Sequence, residues 1–447
     1  MRSLLILSCS LLFLNVSAQD HFSGINMSRR VGILNAGINP AELANLDSKY
    51  EINVFAVSMN AANNKVGFSD IIHSDNIEDL IFSGDEPVNM RVDAEIYGPG
   101  FAMKWNKWAF GLTTKAYAKL NLVDIDSKLG EAINTGAFGS VLGGSTTLSN
   151  SENQRLNGTT WGEVGLTAST NVFENEKHKF NAGVTFKLLF PGSYANFGAD
   201  QFQGTITTFA GQAYLNDTNA NLNIAYSGNL ADSFTNFDDY SQSFFGKLNG
   251  VAGDIGINYR WKDIENYKVN AGMSIRNIGS MTFKDSNNSS ANYSLIIPAS
   301  DQGINLNQFQ DVDNLQQVEQ VLQDSGYLTS TKSNKDFKVK LPTVFSLYAD
   351  VKVVSRFFVS VYTQQKLGDD NKDDQVTTQN TFSLTPRFSI KNYDIYSSWA
   401  SNEISGITGG LGFRIYGFYL GSSSILTALT SDTKQADAYI GYRVGLN

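Results

Sequence analysis

Val251 to Trp261 read VAGDIGINYRW, and they alternate throughout. Val251, Gly253, Ile255, Ile257, Tyr259 and Trp261 fall on one side of an extended chain, and Ala252, Asp254, Gly256, Asn258 and Arg260 on the other. A β-strand turns successive side chains to opposite faces, so this strand has one oily and one wet face. The next stretch repeats the pattern, with Val269, Ala271, Met273 and Ile275 against Asn270, Gly272, Ser274 and Arg276. So do Ala182 to Phe190, Phe345 to Val351, Phe382 to Ile390 and Ala438 to Val444.

Such strands suit a soluble sandwich, with the oily face inward, or a membrane barrel, with the oily face on lipid and the wet face on the lumen. Three features favour the barrel. The wet faces carry Gly and Ser with isolated charges, as a crowded lumen requires. Trp105, Trp108, Trp161, Trp261, Trp399, Tyr416 and Tyr419 lie near strand ends, where interfacial girdles sit. Many segments also have the about 9–11 residues that cross a bilayer at a tilt, and closure leaves no unpaired edge in lipid. The expected fold is all-β, an antiparallel transmembrane β-barrel of about 14 strands, within a range of roughly 14–16. Alternation is weakest near 201–213 and 219–230, which read as two strands or as a loop hairpin. Trp105-Asn106-Lys107-Trp108 and Val353-Val354-Ser355-Arg356 read as tight turns, and long links run near 122–157, 192–250 and 283–341. In the last link, Val312, Leu315, Val318, Val321 and Leu322 have helical spacing, for a helix that packs within its loop or latches the barrel mouth.

The N-terminus has the form of a secretory leader. Arg2 precedes the apolar run Leu4 to Leu14, and Val16-Ser17-Ala18 ends in a small residue, so residues 1–18 read as a signal peptide. The sole cysteine, Cys9, lies within it, leaving the mature chain without thiol chemistry. The 34 basic residues against 43 acidic ones, and a pI near 5.0, argue against a nucleic-acid surface. The expected organisation is 1–18 leader, 19–49 plug segment and 50–447 barrel.

The segment before the first strand contains AGINPAEL, with Asn39-Pro40-Ala41 at its centre. Pro40 fixes φ and pushes Asn39 toward extended geometry, from which its side chain can cap the turn that follows. This run, together with GVAGDIGINYRW and KVNAGMSIRNIG, resembles the FadL-type outer-membrane transporters. More closely, the chain is similar to an uncharacterised outer-membrane family of Bacteroidota. The resemblance implies a barrel of 14 strands blocked by an N-terminal hatch, with Asn39, Pro40 and Ala41 as ligand or hatch residues. It also implies passage of an apolar molecule. A plain helix start is the alternative role for Asn39-Pro40-Ala41.

Enzyme chemistry finds little support. Of the three histidines, His21 falls at the expected flexible mature terminus, His178 in the charged turn ENEKHK, and His73 beside Asp70, Ser74 and Asp75. Neighbours so close in sequence rarely form a triad, and no nucleophile elbow, P-loop or zinc motif occurs. The acidic turn GDDNKDDQ, from Gly368, places Asp369, Asn371 and Asp373 at calcium-loop spacing but has Asp374 where Gly is needed, so it reads as a solvated hairpin tip. Neither metal nor cofactor is expected. Strand phase turns Glu163, Lys187, Asp254, Arg260, Arg276, Asp350, Lys352, Arg387, Arg414 and Arg443 inward, where unpaired charge is costly, so they form a lumenal network. The expected function is passive uptake of a hydrophobic or amphipathic small molecule across the outer membrane, in contact with its lipid. The alternative is an anchor or scaffold for a secretion- or surface-protein partner, as in the shuttle component of type IX secretion.

Overall fold

The computed structural model describes residues 21–28, 32–74, 77–135, 145–232, 245–264, 266–310 and 312–447, and the expected leader lies outside them. Alternation produces the wall directly. β1 (Tyr50–Asn63) pairs with β2 (Val88–Tyr97) and β3 (Gly100–Trp105), which share one wall position end to end. β4 (Trp108–Ile125) follows, then, past the short β5 (Ser145–Asn150), come β6 (Gln154–Glu174) and β7 (His178–Phe209). β8 (Gln212–Ser227) folds back on the upper part of β7, while β9 (Gly250–Asp263) pairs with its lower part. β10 (Asn266–Phe283) continues the wall, and β11 (Ser289–Ile297), β12 (Ile304–Asn305) and β13 (Leu328–Asn334) stand above it. β14 (Phe337–Lys340) and β15 (Val344–Val354) again share one position. β16 (Phe357–Lys366), β17 (Thr381–Ile390), β18 (Tyr393–Asn402), β19 (Gly406–Ile415), β20 (Phe418–Ser422) and β21 (Gln435–Leu446) complete the circuit.

β21 closes on β1 from Tyr50↔Leu446 to Ala62↔Gln435, giving an antiparallel ring of 14 strands. The two shared positions are interrupted at Gly98–Pro99 and at Leu341–Thr343, which contains Pro342. Proline has no N–H for the ladder, so the strand breaks there without leaving a donor orphaned. The two-residue turns at Asn106-Lys107 and Ser355-Arg356 match expectation, and Asn106 and Arg356 take positive φ.

The outer surface is an apolar band. Val184, Ile255, Ile257, Leu384, Ile395 and Leu411 are all exposed, while their strand neighbours Asp254, Asn258, Thr385 and Arg387 are buried inside. No helix of the described residues is long and apolar enough to cross a membrane. The protein is a transmembrane β-barrel. Trp105, Trp108, Trp261, Trp399 and Tyr416 are exposed as girdle residues should be, but Trp161 and Tyr419 are not. Trp161 is in phase with the inward Glu163 two residues along β6, so its indole faces the lumen, where it stacks on Tyr117. Tyr419 joins Tyr97, Tyr396 and Tyr439 in an interior cluster.

The stretch 201–230 is not part of the wall. β7 runs on past Leu189, and β5, β7, β8, β11 and β13 form a crown of paired strands on the long-loop side. Leu315–Asp324 is a helix, and Leu315 and Leu322 are buried in the crown core with Phe202, Leu215, Leu222 and Ile304. Its buried Glu319 accepts hydrogen bonds from Tyr226 and Tyr293. Packing within the loop accounts for this helix. Burial, with the adjacent Glu319 carboxylate, pushes both phenols up to about 12.

Candidate functional site: the lumen and the segment inside it

Residues 21–28 and 32–46 touch inward side chains from strands all round the ring, so they lie inside it. A helix spans Ile33–Ile38 and a 3₁₀ helix Pro40–Asn45. Asn39 between them is extended, and its Oδ1 accepts the Ala41 N–H at 2.9 Å with Pro40 at the first helical position, a local cap that the sequence predicts. Phe22, Ile25 and Leu34 bury themselves among Tyr97, Tyr396, Tyr419 and Tyr439. Ile33, Ala36, Leu43 and Leu46 do so against Ala102 and Ala109.

The wall is shaped for this segment. Ser169, Gly183, Gly256, Ser274 and Ser346 lie in register across β6, β7, β9, β10 and β15, forming a row of small residues. Ile38 to Ala41 rest in that row. A Cβ on Gly183 would stand 2.5 Å from the Ala41 nitrogen, and one on Gly256 would overlap the Asn39 amide. Ser274 Oγ donates to Ile38 O at 2.6 Å and Ser169 Oγ to Ala41 O at 3.1 Å, satisfying carbonyls that the short helices leave open. The Asn39 amide reaches Ile257 O at 2.8 Å and Met273 O at 3.2 Å.

One carboxylate fixes the far end. Glu42, 6% exposed, accepts from Asn45 at 2.7 Å, Asn258 at 2.9 Å, Asn270 at 2.7 Å, Tyr348 at 2.5 Å and Arg260 at 3.2 Å. Sequence reasoning did not single out Glu42 or the row of small residues. Both follow from register between distant strands, although Glu42 could be seen directly after Ala41 as an acid in an otherwise uncharged turn.

The inward charges are paired. Lys187 lies 2.9 Å from Asp254 and 3.7 Å from Glu163. Arg387 bonds Asp350 at 2.7 Å, Arg414 bonds Asp394 at 2.7 Å, and Arg443 bonds Glu51. Arg276 donates to Gly37 O at 2.8 Å. Lys352 shares the face of Asp350 but sits at the rim, bonded to Asp263 at 3.0 Å. Asp394, Glu51 and Glu42 carry much of this network, and the alternation reading did not include them.

One expectation fails here and another holds only in part. His21 is no loose terminus: it is buried, with Nδ1 2.8 Å from Ser58 Oγ and Nε2 2.8 Å from Asp93. The acidic turn is a solvated tip only in part: Asp369, Lys372 and Asp374 are exposed, but the turn does not stand free. Residues 367–380 fold inward as a strap across the lumen mouth, and Val376 is fully buried. The fully buried Arg155 holds the strap, donating to Asp370 O at 2.6 Å and Gln375 O at 3.2 Å, while Asn153 and Asn196 donate to Asp373. Asp369 only accepts from Asn371 N, and no cluster of metal-binding type occurs among the described residues. His178 half-buries its ring against Tyr259, and His73 bonds Ser69 O within its own helix, while Asp75 lies outside the described residues.

Among the described residues, several cavities lie above the N-terminal segment, three of them over the lumen and in the crown. An apolar one of about 340 Å³ lies in the crown, lined by Leu129, Phe202, Leu215, Leu222, Leu306 and Leu315 among others. A polar vestibule of about 490 Å³ separates the strap from β2 and β4. Below it, a chamber of about 80 Å³ is bounded by His21 and Gly37 of the N-terminal segment.

The geometry defines a closed transmembrane barrel whose N-terminal segment is packed inside it. Residues 40–423 match DUF5723, a family of unknown function, and the chain belongs to that family. No curated protein matches the sequence. Among solved structures, the chain is similar to the Ralstonia pickettii toluene transporter TbuX at 11% identity and TM-score 0.41, over 95% of this chain and 97% of that one. It is also similar to the P. putida toluene transporter TodX, at 10% identity and TM-score 0.40 over 92% and 94% of the two chains. A Pseudomonas aeruginosa FadL homologue gives 8% identity and TM-score 0.39 over 96% and 98%.

Proposed function

We propose that the protein is a FadL-like outer-membrane channel for passive uptake of a hydrophobic or amphipathic small molecule, with residues 19–49 acting as its hatch. The crown cavity carries this reading. It is lined by leucine, phenylalanine, valine and isoleucine side chains on the long-loop side, where an apolar solute first meets the protein, and it is of a size that ligand sites use. The chamber beneath meets such a solute with mostly charged and polar side chains. Passage therefore proceeds sideways, through the wall interruption at Gly98–Pro99, rather than down the axis. That interruption is held by Asn53 Nδ2 on Gly98 O at 2.9 Å and by Thr114 Oγ1 on Pro99 O at 2.8 Å. Ile33 of the hatch packs on Gly100 just beyond it, so movement of the hatch would loosen the same point.

The test is uptake of a radiolabelled apolar solute into proteoliposomes. Deleting residues 20–48 should raise uptake, and Ala199→Phe, which fills the crown cavity, should lower it. Uptake equal to the intact protein's in both variants would refute the proposal.

A further inference from the structure

The chamber above the hatch has features that an apolar channel does not need. Arg91, Lys115, Lys119, Lys187 and Arg276 all line it, with Asp93 and Glu95. Adding Glu163 and Asp254, which stand behind Lys187, gives five cations against four carboxylates. A buried excess of positive charge is costly, and a single negative charge in the chamber closes the balance. The lysine contacts are long: Lys115 lies 3.3 Å from Glu95 and Lys119 3.3 Å from Asp93. Each ammonium has three donors, so both retain capacity to bind.

A second observation is independent of charge. Gln379 on the strap is 4% exposed, yet neither its Oε1 nor its Nε2 has a partner among the described residues, and it lines both the vestibule and the chamber. Trp161, whose indole faces the lumen, lines the chamber too, and its Nε1 likewise has no partner among the described residues. Buried polar atoms are almost always bonded, so orphans converging on one cavity mark a place for a polar occupant. The backbone of Gln379 is held by Gln364, which donates to its carbonyl at 3.2 Å, so the strap is anchored where this side chain leaves it.

We propose that this chamber is a binding site for a small oxyanion, a phosphate or a carboxylate, reached through the vestibule rather than through the apolar crown. A water-sized group needs roughly 10–15 Å³ on this measure, so about 80 Å³ takes the four or five heavy atoms of acetate or phosphate and little more. Lys119, Lys115, Trp161 Nε1 and Gln379 Nε2 supply donors, and Gln379 Oε1 accepts from the hydroxyl of a protonated phosphate. The hatch forms the floor through His21 and Gly37, so an ion held here rests on the gate.

The full-length protein in detergent is titrated calorimetrically, at fixed ionic strength, with inorganic phosphate and separately with sodium acetate. Saturable one-to-one binding of either supports the site, and the anion that binds identifies the headgroup class. Lys119→Gln should weaken it about tenfold. Gln379→Leu, which leaves every ion pair in place, should weaken it several-fold while apolar uptake stays at the intact level. Absence of saturable heat with both anions, or intact affinity in both variants, overturns the proposal. Retained heat-modifiable migration shows that each variant is folded.

Discussion

Replacing Glu42 with alanine tests whether the hatch is held where the contacts place it. The substitution removes the acceptor for five donors and leaves the Arg260 guanidinium buried without its carboxylate. Breaking one partner out of a buried pair costs about 3–5 kcal/mol. The wall ladder does not involve this side chain, so the loss falls on docking of Pro40–Asn45 rather than on the barrel. At about 1.4 kcal/mol per decade, local opening should become roughly 150- to 4,000-fold more frequent. Amides of residues 41–46 should exchange faster by that factor in hydrogen–deuterium exchange mass spectrometry, while those of β9 and β10 stay protected. Glu42→Gln keeps the volume and loses the charge, and since charge-assisted bonds are about twice as strong as neutral ones, roughly half the effect should remain. Phe22, Ile25 and Leu34 are held by a separate aromatic cluster, so exchange at 22–27 should change far less. Unchanged exchange at 41–46 in the alanine variant would refute the clamp.

Other perturbations bear on other parts of the lumen. Gly183→Val puts a branched side chain where Pro40 and Ala41 lie, and should raise ion leak across planar bilayers to the level of the hatch deletion, a result that a freely adjusting wall would not give. Arg155→Met strips the Asp370 and Gln375 carbonyls of a buried donor, at about 1–3 kcal/mol for each group left unsatisfied, so trypsin should cut at Lys372 in the variant and spare it in the intact protein. On the long-loop side, Ser69 donates to Asp432 through both its N–H and its Oγ, and these bonds hold the Asp432 carboxyl below the usual range. A depressed folded pKa contributes stability above the unfolded value, about 3.9, and that contribution is lost as pH falls through the folded pKa. Exchange at residues 68–73 should therefore rise as pH drops below about 4, after correction for intrinsic rates, and Asp432→Asn should abolish the pH dependence.

The wall was legible because its physics is local. Each strand declares its lipid face residue by residue, and counting them gives about 14 to 16, a range that includes the observed ring of 14. The Asn39 cap was legible for the same reason, since it needs only the next two residues. What escaped depends on level and register. Trp161 reads as a girdle aromatic from its residue type and its place near a strand end, although its phase with Glu163 turns it inward. The acidic turn looks like a hydrated tip until Arg155, more than 200 positions away in sequence, is seen to bond its carbonyls. His21 has no periodic context at all, and only the Asp93 and Ser58 side chains of the folded wall give it a place.

The distribution of counter-ions bears on whether the hatch can leave. Arg387, Arg414, Lys187 and Arg443 each take a carboxylate from the wall itself: Asp350, Asp394, Asp254 and Glu51. These pairs persist whatever the hatch does, so the barrel does not need the hatch to neutralise them. Arg260 is different, because its carboxylate, Glu42, belongs to the hatch. Even there Asn270 Oδ1 accepts from its Nε at 2.9 Å and the Tyr267 ring lies 5.0 Å away, so the guanidinium keeps two wall contacts when Glu42 departs. The hatch contributes mostly neutral hydrogen bonds and apolar contacts, which water can replace in a wetted lumen at moderate cost. A plug tied by many ion pairs would instead leave buried charge behind in the wall on leaving. One shared carboxylate and the single His21–Asp93 contact, beside a row of small residues that holds Ile38 to Ala41 mainly through backbone, are what a removable closure requires.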